Sequence, residues 1–220
     1  MTRPKALVSW SSGKDSAYAL WETRRRGELE IAGILTTVTA AYERVSMHGV
    51  RESLLDRQAA ELGLPCFKVR IPAPCPNEVY EAEMARALGA ARADGISEFV
   101  FGDLFLEDIR AYREAKLGAV GMRAVFPLWG RDTHVLARDM LDSGLRAVTT
   151  CIDPRKLPAS FAGRSFDAEF LSDLPPAVDP CGENGEFHTF VRGGPMFAKP
   201  IDVRLGPVVE RDGFVFADLE

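Results

Sequence analysis

The chain has 220 residues and a mass of 24.2 kDa, with 27 basic and 32 acidic side chains and a net charge of −5. With 46% apolar and 27% charged residues it can bury a sizeable core, and disorder, collagen and coiled coil are excluded. The mild acidity and the lack of a basic run argue against nucleic acid as a partner, since such binding needs a cationic surface. The longest uncharged stretch, Ile31–Tyr42, is too short and too polar to cross a bilayer. Residues 1–5 run into a strand-like segment without a signal-peptide pattern, so a cytoplasmic location is expected. Cys66, Cys75, Cys151 and Cys181 form no CxxC pair, and are expected to be reduced and mostly buried. Cys181 stands out for its glycine-rich surroundings.

Strand and helix patterns alternate through the first two-thirds of the chain. Lys5–Trp10 reads as a strand and Ser16–Arg26 as a helix, with Ala17, Leu20, Trp21 and Arg24 on helical spacing and Gly27 as its stop. Ile31–Thr39 is a β-branched run and predicts a second strand; Val50–Leu62 predicts a helix closed by Gly63. Phe67–Ile71 alternates apolar and basic residues, as a strand with one solvated face does. Asn77 is expected to cap a helix reaching to Gly95. Glu98–Gly102 predicts a fourth strand, Glu107–Leu117 a helix, and Ala124–Pro127 a fifth strand. Strands separated by helices of about ten residues imply an α/β fold, a doubly wound, parallel five-stranded sheet. Ligands of such sheets lie beyond the carboxyl ends of the strands at the switch in strand order, which points to the turns after Trp10 and Gly102.

From Trp129 onward the pattern changes. Thr133–Ser143 reads as a helix and Ala147–Ile152 as a strand, and a proline-rich connector follows. Phe187–Val191, Ile201–Leu205, Pro207–Arg211 and Phe214–Ala217 are short strand candidates, the last two joined by an Asp212-Gly213 hairpin signal. The expected organisation is therefore a first domain over 1–128 and a smaller α+β domain over 129–220.

Three segments carry chemistry. The turn Ser9-Trp10-Ser11-Ser12-Gly13-Lys14-Asp15-Ser16 leads from strand to helix, so helix-start N–H groups and the helix dipole favour an anion there. Ser11, Ser12 and Ser16 add hydroxyls and Lys14 a full charge. It is not a Walker A loop, because Asp15 stands where that motif needs Ser or Thr and Val8 where it needs glycine. A carboxylate among phosphate donors fits a bridging divalent metal, which makes Asp15 the candidate metal ligand. The second segment is Gly102-Asp103 with Arg110 and Arg113, three apart on one helix face and able to grip phosphate or carboxylate. An exposed Arg110–Glu114 pair is the plainer reading of that helix. The third is Asp179–Phe190, where Glu183, Asn184 and Glu186 alternate with Gly182 and Gly185 in a tight loop of acceptors before a strand.

The octapeptide resembles the SGGxDS pyrophosphate loop of the N-type ATP pyrophosphatases, the PP-loop superfamily. Ser12 stands where that pattern has its first glycine, so a left-handed backbone there would be strained. Together with GD…DIRxYRE, Pro127-Leu128-Trp129, CGENGEFHTF and Pro195-Met196-Phe197, the chain resembles the diphthine–ammonia ligase family of PP-loop enzymes over roughly residues 5 to 205. That resemblance implies a Rossmann-like nucleotide-binding domain followed by a smaller substrate domain. It implies ATP and Mg²⁺ as cofactors, adenylation of a carboxylate with loss of pyrophosphate, and attack by ammonia. Carried over by position, Ser11, Ser12, Gly13, Lys14, Asp15 and Ser16 would hold the pyrophosphate and its metal, with Gly102 and Asp103 beside the nucleotide. Lys14, Asp15, Glu183 and Glu186 would be catalytic, and Glu183, Asn184 and Glu186 would line the site from the second domain. His48 could face the same cleft as a substrate residue, although an ordinary loop histidine is the simpler reading.

The basic residues are 21 Arg and 6 Lys among abundant Ala and Gly, which suggests a GC-rich bacterial genome. The acceptor is then a carboxylate, small or protein-borne; it would be diphthine on an elongation factor only in an archaeal or eukaryotic source. A homo-oligomer is possible. Two rival readings are another PP-loop enzyme, such as an RNA-modifying one, and a non-catalytic adenine-nucleotide sensor. The first usually brings a CxxC pair or a basic face, and the second has no need of Lys14, Asp15 and the acidic loop together.

Overall fold

Ala6, Leu7 and Val8 are all fully buried, and a strand apolar on both faces is stable only inside a sheet covered on both sides. The computed structural model, which describes residues 2–220, places that strand so. The first part of the chain runs β1 (Lys5–Ser9), α1 (Lys14–Arg26), β2 (Glu30–Thr39), β3 (Arg44–Val45), α2 (Glu52–Leu62), β4 (Cys66–Ile71), α3 (Asn77–Ala93), β5 (Ile96–Val100), α4 (Glu107–Ala119) and β6 (Arg123–Val125). Parallel pairing gives the order β4-β2-β1-β5-β6. The order reverses at β1, so the turn after β1 and the loop after β5 face each other across the switch point. The two-residue β3 adds an antiparallel partner at the end of β2.

One side of this sheet, with α3 and α4, encloses Leu7, Leu35, Leu88, Phe99 and Leu117. The other side, with α1 and α2, shares a continuous core with the rest of the chain, from Trp10, Leu20 and Leu55 to Phe187, Phe190 and Met196. That remainder comprises α5 (Thr133–Asp142), β7 (Arg146–Ile152), β8 (Ser165–Phe166), α6 (Ala168–Asp173), β9 (Phe187–Gly193), β10 (Leu205–Arg211) and β11 (Phe214–Leu219). Its sheet is antiparallel, in the order β10-β11-β7-β8 with β9 also pairing β7. No helix of the described residues is long and apolar enough to cross a membrane.

The expected elements appear with small shifts. Gly27 and Gly63 end α1 and α2 in the left-handed conformation, at φ 67° and 64°, as helix-stopping glycines do. The Asp212-Gly213 turn has both residues at positive φ, 53° and 78°, the geometry of a type I′ hairpin. Asn77 is not a cap: Pro76 takes that place and no side chain caps α3. The fourth strand ends at Val100 rather than Gly102, which leaves Gly102 free to turn. Ile201–Leu205 is not a strand. Ile201 is buried while Asp202 and Arg204 are exposed, which imitates strand alternation, but Ile201 is a single anchor whose N–H bonds to the Arg192 carbonyl at 2.6 Å. The two-residue strands β3 and β8 and the six-residue α6 were not anticipated, because segments so short carry no readable period.

Candidate active site

Trp10 to Gly13 form the turn between β1 and α1. Trp10 is buried and its indole N–H donates to Gln58 Oε1 at 2.9 Å. The Gln58 amide, fully buried on α2, donates to the carbonyls of Ser12 at 3.1 Å and Val191 at 2.7 Å. The Val191 N–H on β9 donates to the same Ser12 carbonyl at 2.8 Å. These bonds hold Ser12 at φ 69°. The turn therefore keeps the left-handed geometry with a serine in it, at a cost of about 1–2 kcal/mol. The Ser12 hydroxyl is buried without a partner, an unmet donor on the turn.

Two helix-start donors are already used. Gly13 N–H donates to Ser11 Oγ at 3.3 Å, and Lys14 N–H to Thr189 Oγ1 at 3.0 Å. The Lys14 ammonium, 2% exposed, donates to both Asp15 oxygens at 3.0 and 2.9 Å and to the Cys181 carbonyl. It also lies over the rings of Phe187 at 5.2 Å and Phe166 at 5.7 Å. Burial opposes its charge most strongly, yet Asp15, together with Cys181 and Asp179 beyond it, holds its pKa above the ordinary value, while burial pushes the Asp15 carboxyl up against the pull of Lys14. Asp15 keeps 29% of its side chain exposed and forms the open end of the pair. Cutting that partner away would strand a buried ammonium, at about 3–5 kcal/mol.

The loop after β5 closes on the same turn. A Cβ on Gly102 would come within 2.7 Å of the Asp15 backbone, so only glycine lets the two chains touch. Asp103 pairs with Arg113 at 3.1 Å, and Arg113 lies over Phe101. Arg110 pairs with Glu114 at 2.8 Å and lies over Trp129 and Phe126. Both arginines thus already hold carboxylates.

The loop Asp179–Glu186 reaches across from the second sheet. Glu183 Oε1 accepts the Leu104 N–H at 2.7 Å, two residues beyond Gly102. Burial pushes the Glu183 carboxyl up to about 7, against the pull of the Leu104 N–H, with Asp15 and Asp103 adding to the rise. The loop is tied internally: Glu183 N–H donates to Asp179 Oδ2 at 2.8 Å, and Asp179 N–H to Glu186 Oε1 at 3.2 Å. Glu186 is buried, also takes the Asn184 amide at 3.2 Å, and leaves Oε2 without a partner. Asn184 turns its carbonyl to Lys156 at 2.6 Å. Burial raises the Cys181 thiol far above its usual range, so its carbonyl rather than its sulfur serves the site.

Sequence reasoning missed Gln58, Thr189 and His188. The rings of His48 and His188 lie 4.4 Å apart, and the His48 Cε1 is 3.4 Å from where a Cβ on Gly13 would stand. Burial holds both imidazoles below their ordinary pKa, His188 at about 4. No local pattern links residue 189 to residue 14, which lie 175 positions apart. Among the described residues, no group of three or more His, Cys, Asp or Glu gathers as a metal site.

Two outcomes follow from this geometry. Ser12→Gly should raise the melting temperature by about 2–4 °C, the scale of 1 kcal/mol in a chain this size, since glycine accepts positive φ. A fall in thermal melts would mean that the serine side chain carries the turn. Glu183 binds its proton more tightly folded than unfolded, so its contribution to stability falls as pH rises from its ordinary 4.5 through about 7. Glu183→Gln should therefore melt progressively higher than the parent across that window, reaching its full advantage above pH 7. An unchanged difference would place the carboxyl in solvent.

The comparisons agree with the motifs. Residues 4–124 match the family model "Diphthamide synthase N-terminal domain" and residues 132–215 match "Diphthamide synthase C-terminal domain". The human protein named diphthine–ammonia ligase is 25% identical over 239 residues, covering 98% of this chain and 88% of its own length. The zebrafish (Danio rerio) protein of that name is 25% identical over 231 residues, covering 94% and 89%. The fission yeast (Schizosaccharomyces pombe) protein of that name is 33% identical over 96 residues, 41% of this chain but 16% of that much longer relative. With its N-terminal model alone spanning more than half of the residues, this chain belongs to the diphthamide synthase family.

Proposed function

We propose that the chain is a ligase that joins ammonia to a carboxylate, in keeping with the name of its relatives, and that it does so at the expense of ATP with release of AMP and pyrophosphate, in keeping with its PP-loop-like turn. The observation that carries the reading is the meeting of Lys14 and Glu183 at the sheet's switch point. A buried cation stands at the start of α1, and a carboxyl with a pKa of about 7 reaches over from the opposite sheet. The acceptor oxygen attacks the α-phosphorus and the bond to pyrophosphate breaks, with charge growing on the β-phosphate. The Ser12 hydroxyl, Ser11, Ser16 and the Lys14 charge would face that developing charge, with Gly13 closing the turn between them, the electrostatic arrangement that lowers barriers most. Gly102 and Asp103 back the nucleotide, and Arg110 and Arg113 stand beyond them. Ammonia then attacks the acyl carbon, the bond to AMP breaks, and Glu183 takes the proton released from nitrogen. Glu186 and Asn184 hold the loop that aims Glu183.

Asp15 is the single carboxylate on the turn; both its oxygens take the Lys14 ammonium, and its exposed edge, 29% of the side chain, would be the part to meet magnesium, which needs only one or two such ligands when phosphates supply the rest. The turn thus fits an ion carried in on ATP, which would neutralise phosphate charge. The acceptor is diphthine if the source organism makes it, and another carboxylate otherwise.

Chromatography of labelled ATP after incubation with magnesium, ammonium and a panel of carboxylates should show enzyme-dependent AMP and pyrophosphate; ADP and phosphate would overturn the reading. Glu183→Gln should lower kcat about a hundredfold while melting no lower than the parent, which separates chemistry from folding. The parent's kcat should also fall below about pH 7 as Glu183 takes up its proton. Full activity in the variant would remove Glu183 from the chemistry.

A further inference from the structure

His48 stands on the segment between β3 and α2, and that segment is clamped. A Cβ on Gly49, at φ 68°, would meet the Phe216 ring at 2.9 Å, so the backbone is seated directly on β11. Arg44 donates to the Gly49 carbonyl at 2.6 Å and to Asp218 at 2.9 Å, and Arg51 donates to Asp218 Oδ1 at 3.1 Å. The ring edge and the Thr189 carbonyl both lie against Gly13, at 3.4 and 3.2 Å from where its Cβ would stand, while Nδ1 is buried with no partner. Assigning the proton to Nε2 leaves Nδ1 a bare lone pair beside the phosphate-type turn. Its neighbour is a second imidazole, His188, 4.4 Å away and tilted by 45°. A buried acceptor without a donor is costly to leave unmade, and it calls for a small neutral donor.

We propose that the His48–His188 pair is the docking station for the nitrogen nucleophile: ammonia donates an N–H to His48 Nδ1, and His188 fixes the plane of that ring. This inference rests on the ligase reading for the identity of the donor. Both rings are neutral, so the acceptor lone pair is available throughout the neutral range. The Lys14 charge acts on both of them and disfavours a second cation, which selects ammonia over ammonium. His48 is the binding residue and His188 a positioning residue.

The chain has three histidines, so ¹⁵N-histidine labelling of the full protein gives three ring systems, assigned with His134→Asn and His188→Phe. Titration with ammonium chloride at mildly alkaline pH should move the His48 Nδ1 resonance to saturation and leave His134 in place, while sodium chloride at equal ionic strength moves neither. His188→Phe should weaken the ammonium response. In turnover, His48→Asn and His48→Gln should raise KM for ammonium about tenfold, the size of one lost hydrogen bond, with KM for ATP nearly constant. No ammonium-specific movement of Nδ1 would overturn the proposal. So would saturation of Nδ1 by ATP with no further response to ammonium, or an equal rise in KM for ATP. Loss of AMP formation with every carboxylate, while the ammonium shift persists, would sink the ligase reading and leave the binding station standing.

Discussion

The carbonyl oxygen of Ser12 accepts hydrogen bonds from Gln58 on α2 and from Val191 on β9. Ser12 is held at φ 69°, a conformation that costs a non-glycine residue about 1–2 kcal/mol, and two buried hydrogen bonds of about 1 kcal/mol each are of the size needed to hold it. The start of α1 follows from that carbonyl. Once Ser12 is fixed, Gly13 lies against Thr189 and His48, Lys14 points under the Cys181 carbonyl, and Asp15 meets Gly102. The strain sits at the residue whose hydroxyl has no partner, the combination expected of a binding turn shaped before its ligand arrives.

Electrostatics explains why the second sheet is needed. A buried ion pair such as Lys14–Asp15 gains little net stability, because desolvation offsets its attraction. What it provides is a charge fixed in a dry place, and the fixing comes from β9 and the loop before it: the Cys181 carbonyl, Thr189 Oγ1 and the Phe187 ring. Glu183 answers from the same loop by reaching Leu104, so the two carboxyl-end turns of the parallel sheet are each tied to it. Asp15 and Glu183 then share a poorly solvated region, and their mutual repulsion adds to the high Glu183 pKa.

The parallel sheet was legible because its signals are local: β-branched runs, helical spacing, and Gly27 and Gly63 as stops. SSGKDS and Gly102-Asp103 were legible for the same reason, each lying within a few residues of a strand end. The Glu183–Leu104 bond joins residues 79 apart, and Lys14–Thr189 joins residues 175 apart; no short pattern encodes either. His188 has no local signal of its own within CGENGEFHTF, and its relevance comes from lying 4.4 Å from the His48 ring, 140 residues away in the chain. The Arg110–Glu114 pair was legible from its i,i+4 spacing, whereas the hold of Asp103 on Arg113, ten residues away and on another element, was not. The Ile201 segment shows the converse error, in which one buried anchor between exposed neighbours has the period of a strand without a ladder.

The C-terminal strand completes this dependence from the other side. Asp218 on β11 takes Arg44 and Arg51, whose hydrogen bonds hold its carboxyl down at about 2. Its pKa is lowered by folding, so the clamp's contribution is present above the ordinary 3.8 and is lost only as pH falls through about 2. Throughout the neutral range, then, β11 holds the loop that carries His48, and β9 holds the turn that carries Ser12. These two strands belong to one antiparallel sheet through β7, so displacing that sheet would release both at once. The anion turn and the imidazole pair are thereby coupled by construction.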